Sequence, residues 1–334
     1  MIDLHLHFDG SLPVKTVLWL AKEQGIELPA FTEEELRPFL EAPKDCRDLN
    51  DYLARFDLPL KVLQTRQALT RAMEDLLSKL AGEGMLYAEI RFAPQFHTAC
   101  KLSQRQVIEA VLEGVNQGLL KNPTLWDIRL ILCCMRGTDN RKENLETIEL
   151  AGEFAGKTKV AAVDLAGAEG VFFTGDFEEL FSLAAKKQIP YTIHAGEADG
   201  PESVQAAIRM GTMRIGHGVR CVEDPAVEET VRQKKITLEC CVTSNIQTRA
   251  FASAEAHPLL RLLRSGIKVT VNTDNMTVSN TTVTKEFELL KSCGMTREEQ
   301  TKLLENSIQA AFLTSKEKAD LMKIMLERRQ TLWK

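Results

Sequence analysis

Eight short apolar runs, recurring along 334 residues with helix-period stretches between them, constrain this chain more than any other feature. They lie at 2–7 (IDLHLH), 85–94 (MLYAEIRFAP), 127–136 (DIRLILCCMR), 160–167 (VAAVDLAG), 190–197 (PYTIHAGE), 214–218 (RIGHG), 236–245 (ITLECCVTSN) and 268–275 (KVTVNTDN). Intervals such as 103–119 and 176–187 carry the 3.6-residue period of amphipathic helices. Near-continuous apolar strands alternating with such helices signal a parallel sheet covered by helices. Eight units predict an α/β fold of the closed (β/α)8 barrel type rather than an open doubly wound sheet; barrels of about 250 residues with insertions fit the length. A dinucleotide-binding sheet would want G-x-G-x-x-G after its first strand, and Asp9-Gly10-Ser11-Leu12-Pro13 does not supply it. The interval 11–84 is predicted to be an all-helical insertion. No repeat, low-complexity tract or linker divides the sequence, so 1–334 reads as one domain.

Composition removes several function classes. Apolar residues make up 44%, enough for a sizeable core, and the net charge of −5 is spread without a basic stripe, which argues against nucleic acid as a partner. No apolar stretch reaches the ~18 residues of a membrane span, and the N-terminus lacks the basic start of a signal peptide. A soluble cytoplasmic protein is expected. The eight cysteines, at 46, 100, 133, 134, 221, 240, 241 and 293, include no C-x-x-C and read as small hydrophobes in a reducing compartment. The zinc-deaminase signature built on P-C-x-x-C is therefore absent.

Polar chemistry gathers at the strand ends, where barrels of this type place their active sites. In the first run His5 and His7 alternate with Leu4 and Leu6, so both imidazoles face one side of a strand. The fifth run ends in His194-Ala195-Gly196-Glu197, the sixth is Gly216-His217-Gly218, and the eighth ends in Asn272-Thr273-Asp274-Asn275. Taken singly, each histidine reads equally as a satisfied polar residue, and Asp274 as a helix N-cap. Four of six histidines at strand ends, with Glu197 and Asp274 beside them, point instead to a site. His97 and His257 fit loop and helix-start positions. His5, His7, His194 and Asp274 offer three imidazoles and a carboxylate to one Zn2+ per subunit, with a position left for water. Such a water titrates near pH 7 instead of ~15.7. His217 is the free imidazole for a base, and Glu197, held protonated, is the acid. The class this indicates is metal-assisted hydrolysis. A two-metal hydrolase would want a lysine on the fourth strand, and a serine hydrolase G-x-S-x-G; neither is present.

At these residues the sequence resembles the adenosine deaminase family of metal-dependent hydrolases. The resemblance runs through HLHFDGSL (5–12), DYLARFDL (51–58), AEIRFAP (88–94), DLAGAEG (164–170), HAGE (194–197), GHG (216–218), TSNIQT (243–248), HPL (257–259) and NTDN (272–275). It implies that His5, His7, His194 and Asp274 bind zinc, that Glu197 protonates purine N1, and that His217 with Asp274 orients and activates the water attacking C6. Inosine and ammonia would be the products, from a small-molecule purine nucleoside. Gly167 would present its N–H to purine N3. Asp9, with His7 nearby, would hold the ribose 5′-hydroxyl; relatives acting on free adenine usually carry glutamate there. Leu49, Tyr52, Leu53 and Phe56 resemble the family's apolar lid and read equally as ordinary helix core.

One departure stands out: the family commonly has NTDD where this chain has Asp274-Asn275. The resemblance places the second residue at purine N7, to which an asparagine amide can donate directly whereas a carboxylate needs an intervening proton. Two other readings are weighed against adenosine and 2′-deoxyadenosine deamination. One is deamination of another 6-aminopurine, such as adenine or an N6-substituted nucleoside; the other is a non-catalytic zinc- or purine-binding barrel.

Overall fold

A computed structural model describes residues 1–332. Strands β1 (Ile2–His7), β2 (Tyr87–Phe92), β3 (Asp127–Met135) and β4 (Val160–Ala166) form one parallel sheet in that order. Strands β5 (Ile193–Ala195), β6 (Arg214–His217), β7 (Thr237–Cys240) and β8 (Lys268–Val271) form a second. The sheets meet at both edges through single parallel bridges, Val163 with Tyr191 and Leu6 with Asp274. At the second seam His7 N–H donates to Asp274 O at 2.7 Å and Asp274 N–H to His5 O at 2.8 Å. The eight strands thus make a ring.

Helices lie between successive strands and bury one face against the ring. Gln104–Lys121 shows why such a segment is helical. Ser103 and Gln106 form a reciprocal capping box at its start, and Val107, Ile108, Val111 and Val115 recur on its buried face. Between β1 and β2 every regular element is helical, from Asp9–Ser11 to Arg66–Gly82. That last helix packs against Gln104–Lys121 as part of the outer layer.

Several strands are shorter than the apolar runs suggest, β8 among them, which covers only Lys268–Val271 of the run 268–275. The run 236–245 is strand only over Thr237–Cys240, and Val242–Gln247 is a helix. Glu286, from the distant helix Val283–Ser292, accepts the N–H and hydroxyl of Thr243, so a tertiary contact caps a segment whose own residues favour strand. The run 190–197 is strand only over Ile193–Ala195, because Gly196 turns the chain at φ +72°.

The interior of the ring is partly ionic. Arg91 bonds Asp164 at 2.8 Å and Glu239 at 2.7 Å. Arg214 bonds Glu239 at 2.7 Å and Glu89 at 2.6 Å. All five side chains are buried. Buried charge is tolerated only when paired and fully hydrogen-bonded, and Glu239 is also reached by the Thr192 hydroxyl and His5 Nδ1.

Candidate active site

The strand ends bring His5, His7, His194, His217, Glu197 and Asp274 together at one mouth of the ring. His7 Nε2 lies 3.3 Å from His194 Nε2 and 3.4 Å from Asp274 Oδ1, which is itself 3.5 Å from His5 Nε2. His5 Nδ1 faces Glu239 at 2.8 Å, so its proton belongs there and Nε2 keeps a lone pair. That Nε2 is buried without a hydrogen-bond partner. His194 Nδ1 similarly lies 2.9 Å from Asp164 Oδ2. A buried lone pair aimed among two further imidazole nitrogens and a carboxylate fits a cation, and carboxylates behind ligand histidines are the usual way to fix their tautomer. Asp274 is not an N-cap. It stands at φ +59°, and its Oδ2 accepts from the Ser244 hydroxyl at 2.6 Å. His217 has the same left-handed conformation, φ +60°, which costs such residues roughly 1–2 kcal/mol and is kept where surroundings impose it.

Charges in this cluster are set by burial and by each other. Burial drives His7 and His217 well below the ordinary histidine pKa, despite the nearby Asp274 carboxylate. Asp274 resists burial because His5, His7 and His217 surround it, and it stays ionised. Glu197 goes the other way: burial, then the negative charges of Asp274 and Glu169, push its pKa well above the usual glutamate value. The protonated form of Glu197 is therefore favoured, with Oε1 accepting from the Thr248 hydroxyl at 3.2 Å and Oε2 3.4 Å from His217 Nε2.

The chain carrying Glu197 is clamped from below. Glu169 accepts backbone N–H bonds from Gly196, Glu197, Ala198 and Asp199 at 2.6–3.2 Å, and the Ser203 hydroxyl at 2.5 Å. Gly196 is required both by its positive φ and by Val204, whose Cγ2 would lie 2.4 Å from an added Cβ.

Next to the cluster is a cavity of about 350 Å3. Its walls include Asp9, Gly167, Asn275, Leu49, Tyr52, Leu53 and Phe56. Asp9 is buried and its pKa is raised to about 6, first by burial and opposed by the N–H groups of its own loop. Gly167 stands at φ +104° against Met135 and Arg136, so a side chain there would be strained and crowded. Asn275 gives an amide N–H to Asp274 Oδ1 at 2.7 Å, while its own Oδ1 is buried without a partner. Leu49 and Tyr52 belong with Cys46 and Val278 to a small apolar cluster separate from the main core, and Tyr52 OH meets Ser279 Oγ at 2.6 Å.

Comparison with known proteins settles the family. The model of the family described as "Adenosine deaminase" matches residues 1–327. The chain belongs to the adenosine deaminase family. It is 47% identical to the adenosine deaminase of Haemophilus ducreyi over 98% of this chain and 96% of that protein. Among solved structures it resembles an adenine deaminase from Arthrobacter aurescens (TM-score 0.89, 29% identity, 98% of each chain). It also resembles the Arabidopsis N6-mAMP deaminase MAPDA (TM-score 0.85, 26% identity, 97% of this chain and 96% of that one).

Several residues that build this family member's site escape a reading of strand ends. Asp164, Glu239, Arg91 and Ser244 hold the cluster from behind or beside it, and Glu169 holds the loop of Glu197. The available signal was a lone charge inside an apolar strand, as in VAAVDLAG and ITLECC. His97 sits in the turn Pro94–His97, its Nδ1 2.9 Å from Leu63 O, away from the cluster. His257 is buried at the start of Leu259–Arg264 and reaches Asn245. No helix among the described residues is long and apolar enough to cross a membrane.

Proposed function

We propose that this chain catalyses hydrolytic deamination of adenosine and 2′-deoxyadenosine to inosine or 2′-deoxyinosine and ammonia. The observation that carries the reading is Glu197, buried beside the acidic Asp274 and Glu169 so that its protonated form is favoured, at the edge of the histidine–carboxylate cluster and facing a cavity of nucleoside size. His5, His7, His194 and Asp274 would hold one Zn2+. Three of the spacings among their donor atoms, His7 to His194, His7 to Asp274 and His5 to Asp274, are 3.3–3.5 Å, close enough for ligands sharing one ion with bonds of ~2.0–2.1 Å. The ion's contribution is to bring the pKa of water near neutrality.

The side chains do the rest. Glu197 donates its proton to purine N1 as oxygen adds at C6, which makes the ring carbon electrophilic. His217 and Asp274 orient the incoming water and take up its proton, which leaves with the C6 amine as ammonia. As the C6 carbonyl forms, the remaining hydroxyl proton returns to Glu197. Asp9 holds the ribose 5′-hydroxyl, Gly167 N–H meets N3, and Asn275 meets N7 through an amide hydrogen. Leu49, Tyr52, Leu53 and Phe56 close over the purine and exclude water.

Likeness to an adenine deaminase and an N6-mAMP deaminase supports a second reading, another 6-aminopurine. A panel of adenosine, 2′-deoxyadenosine, adenine, AMP and N6-methyladenosine separates the two by ammonia release from zinc-replete protein. Adenosine turnover far above the others is expected; preference for adenine or an N6-substituted substrate overturns the first reading. Turnover of none leaves a non-catalytic binding barrel.

A further inference from the structure

His257 and Asn245 are buried and outside the cation cluster, and they form a chain of hydrogen bonds whose direction is fixed at one end. The backbone N–H of Leu259 can only donate, and it lies 3.3 Å from His257 Nδ1. Nδ1 therefore presents a lone pair. Burial brings the pKa of His257 down to about 3, so the ring is neutral and its single proton sits on Nε2. Nε2–H donates to Asn245 Oδ1, 3.1 Å away. With its oxygen committed to His257, the Asn245 amide turns its NH2 toward His217 Nδ1, at 3.0 Å. A donor facing Nδ1 requires a lone pair there as well. The proton of His217 is thereby placed on Nε2, the nitrogen near Glu197 Oε2 at 3.4 Å.

We propose that Asn245 and His257 are positioning residues that hold His217 in its Nε2–H form, so that His217 acts on the attacking oxygen as a hydrogen-bond donor. This rests on the deaminase reading above and divides one of its steps. A ring nitrogen that already carries a proton can orient water but cannot take its proton while the ring stays neutral. The proton then passes to the Asp274 carboxylate, and from it to the amine as the C6–N bond breaks. The same logic makes the third member of a serine-protease triad matter, because it selects the tautomer of a histidine it never lets go.

The test uses the full chain loaded with zinc, which is diamagnetic, and labelled with 15N-histidine. Long-range proton–nitrogen NMR correlations report which ring nitrogen of His217 is protonated; its signals are identified by their loss in His217→Gln. A protonated Nε2 is expected, and a protonated Nδ1 in the native protein overturns the proposal. Asn245→Asp places an acceptor opposite Nδ1 and should invert the tautomer. At unchanged metal content, its kcat should fall by at least ~100-fold with KM little changed. Inverted signals with kcat unchanged would also overturn it. His257→Gln retains an N–H for Asn245 and should keep the native tautomer and most of kcat, whereas His257→Leu should lose both. Equal kcat in this pair counts against the proposal even if Asn245→Asp fails to fold. The tautomer is read without substrate, so a protein inactive on adenosine would defeat the functional reading and leave this result standing.

Discussion

At the scale of single residues, the site depends on where protons reside. Glu197 is the clearest case, since its burial and its acidic neighbours favour the protonated form. Glu197→Gln keeps the shape and a donor but has no proton to release, so turnover should fall by ~10²–10⁴. Metal content, measured by elemental analysis, should not change. In the native protein the deaminase rate should fall as pH rises through the elevated Glu197 pKa. His97 offers a test away from the chemistry. Burial lowers its pKa to about 4, opposed only by the Leu63 carbonyl. The folded state therefore refuses a proton that the unfolded chain accepts near pH 6.5. Its neutral form favours folding fully above about pH 6.5; as pH falls, that advantage is lost progressively and is gone near pH 4, a loss of about 3 kcal/mol. Urea midpoints of the native protein and His97→Gln should converge or cross on acidification over that window. Parallel curves would remove His97 as the cause.

At the scale of elements, the loop after β5 shows how a strand end is held in a fixed position. Five donors converge on the Glu169 carboxylate, four of them backbone N–H groups of the loop that carries Glu197. Glu169→Gln replaces one acceptor oxygen with an NH2 that opposes those donors. It should cost about 1–3 kcal/mol of stability and lower kcat more than it raises KM. Urea titration and steady-state kinetics on one preparation check both. This element also shows what the sequence discloses. His5, His7, His194, Glu197, His217 and Asp274 were visible because strand alternation and strand-end position each leave a mark in a linear pattern. Glu169 sits in DLAGAEG on a different crossover, and its partnership with residues 196–199 depends on how two loops meet in space. The helix Val242–Gln247 was hidden for a similar reason: Glu286, far along the chain, supplies its first hydrogen bonds. Apolar period reveals strands well, and it does not reveal where a distant acceptor will end one.

For the molecule as a whole, the ionic interior and the cation cluster form one structure. Glu239 on β7 touches His5 on β1, Arg91 on β2, Thr192 before β5 and Arg214 on β6, so it joins both sheets beneath the site. Glu239→Gln removes a buried charge and leaves two arginines underpaired. A destabilisation of about 3–5 kcal/mol is expected. Metal affinity should also fall ~10–100-fold, measured by chelator competition, because His5 loses the carboxylate that sets its orientation. The seam between β8 and β1 carries a kinetic consequence. Leu4 N–H is bonded to Asn272 Oδ1 across 268 residues of sequence, and His5 and Asp274 join in the same place. Contacts of such high sequence separation are slow to form. A ribosome-bound chain that has not yet produced residue 274 lacks one wall of the cluster, so ion capture becomes a late event in the chain's synthesis. The rate at which a refolding sample takes up metal would then serve as a clock for closure of the ring.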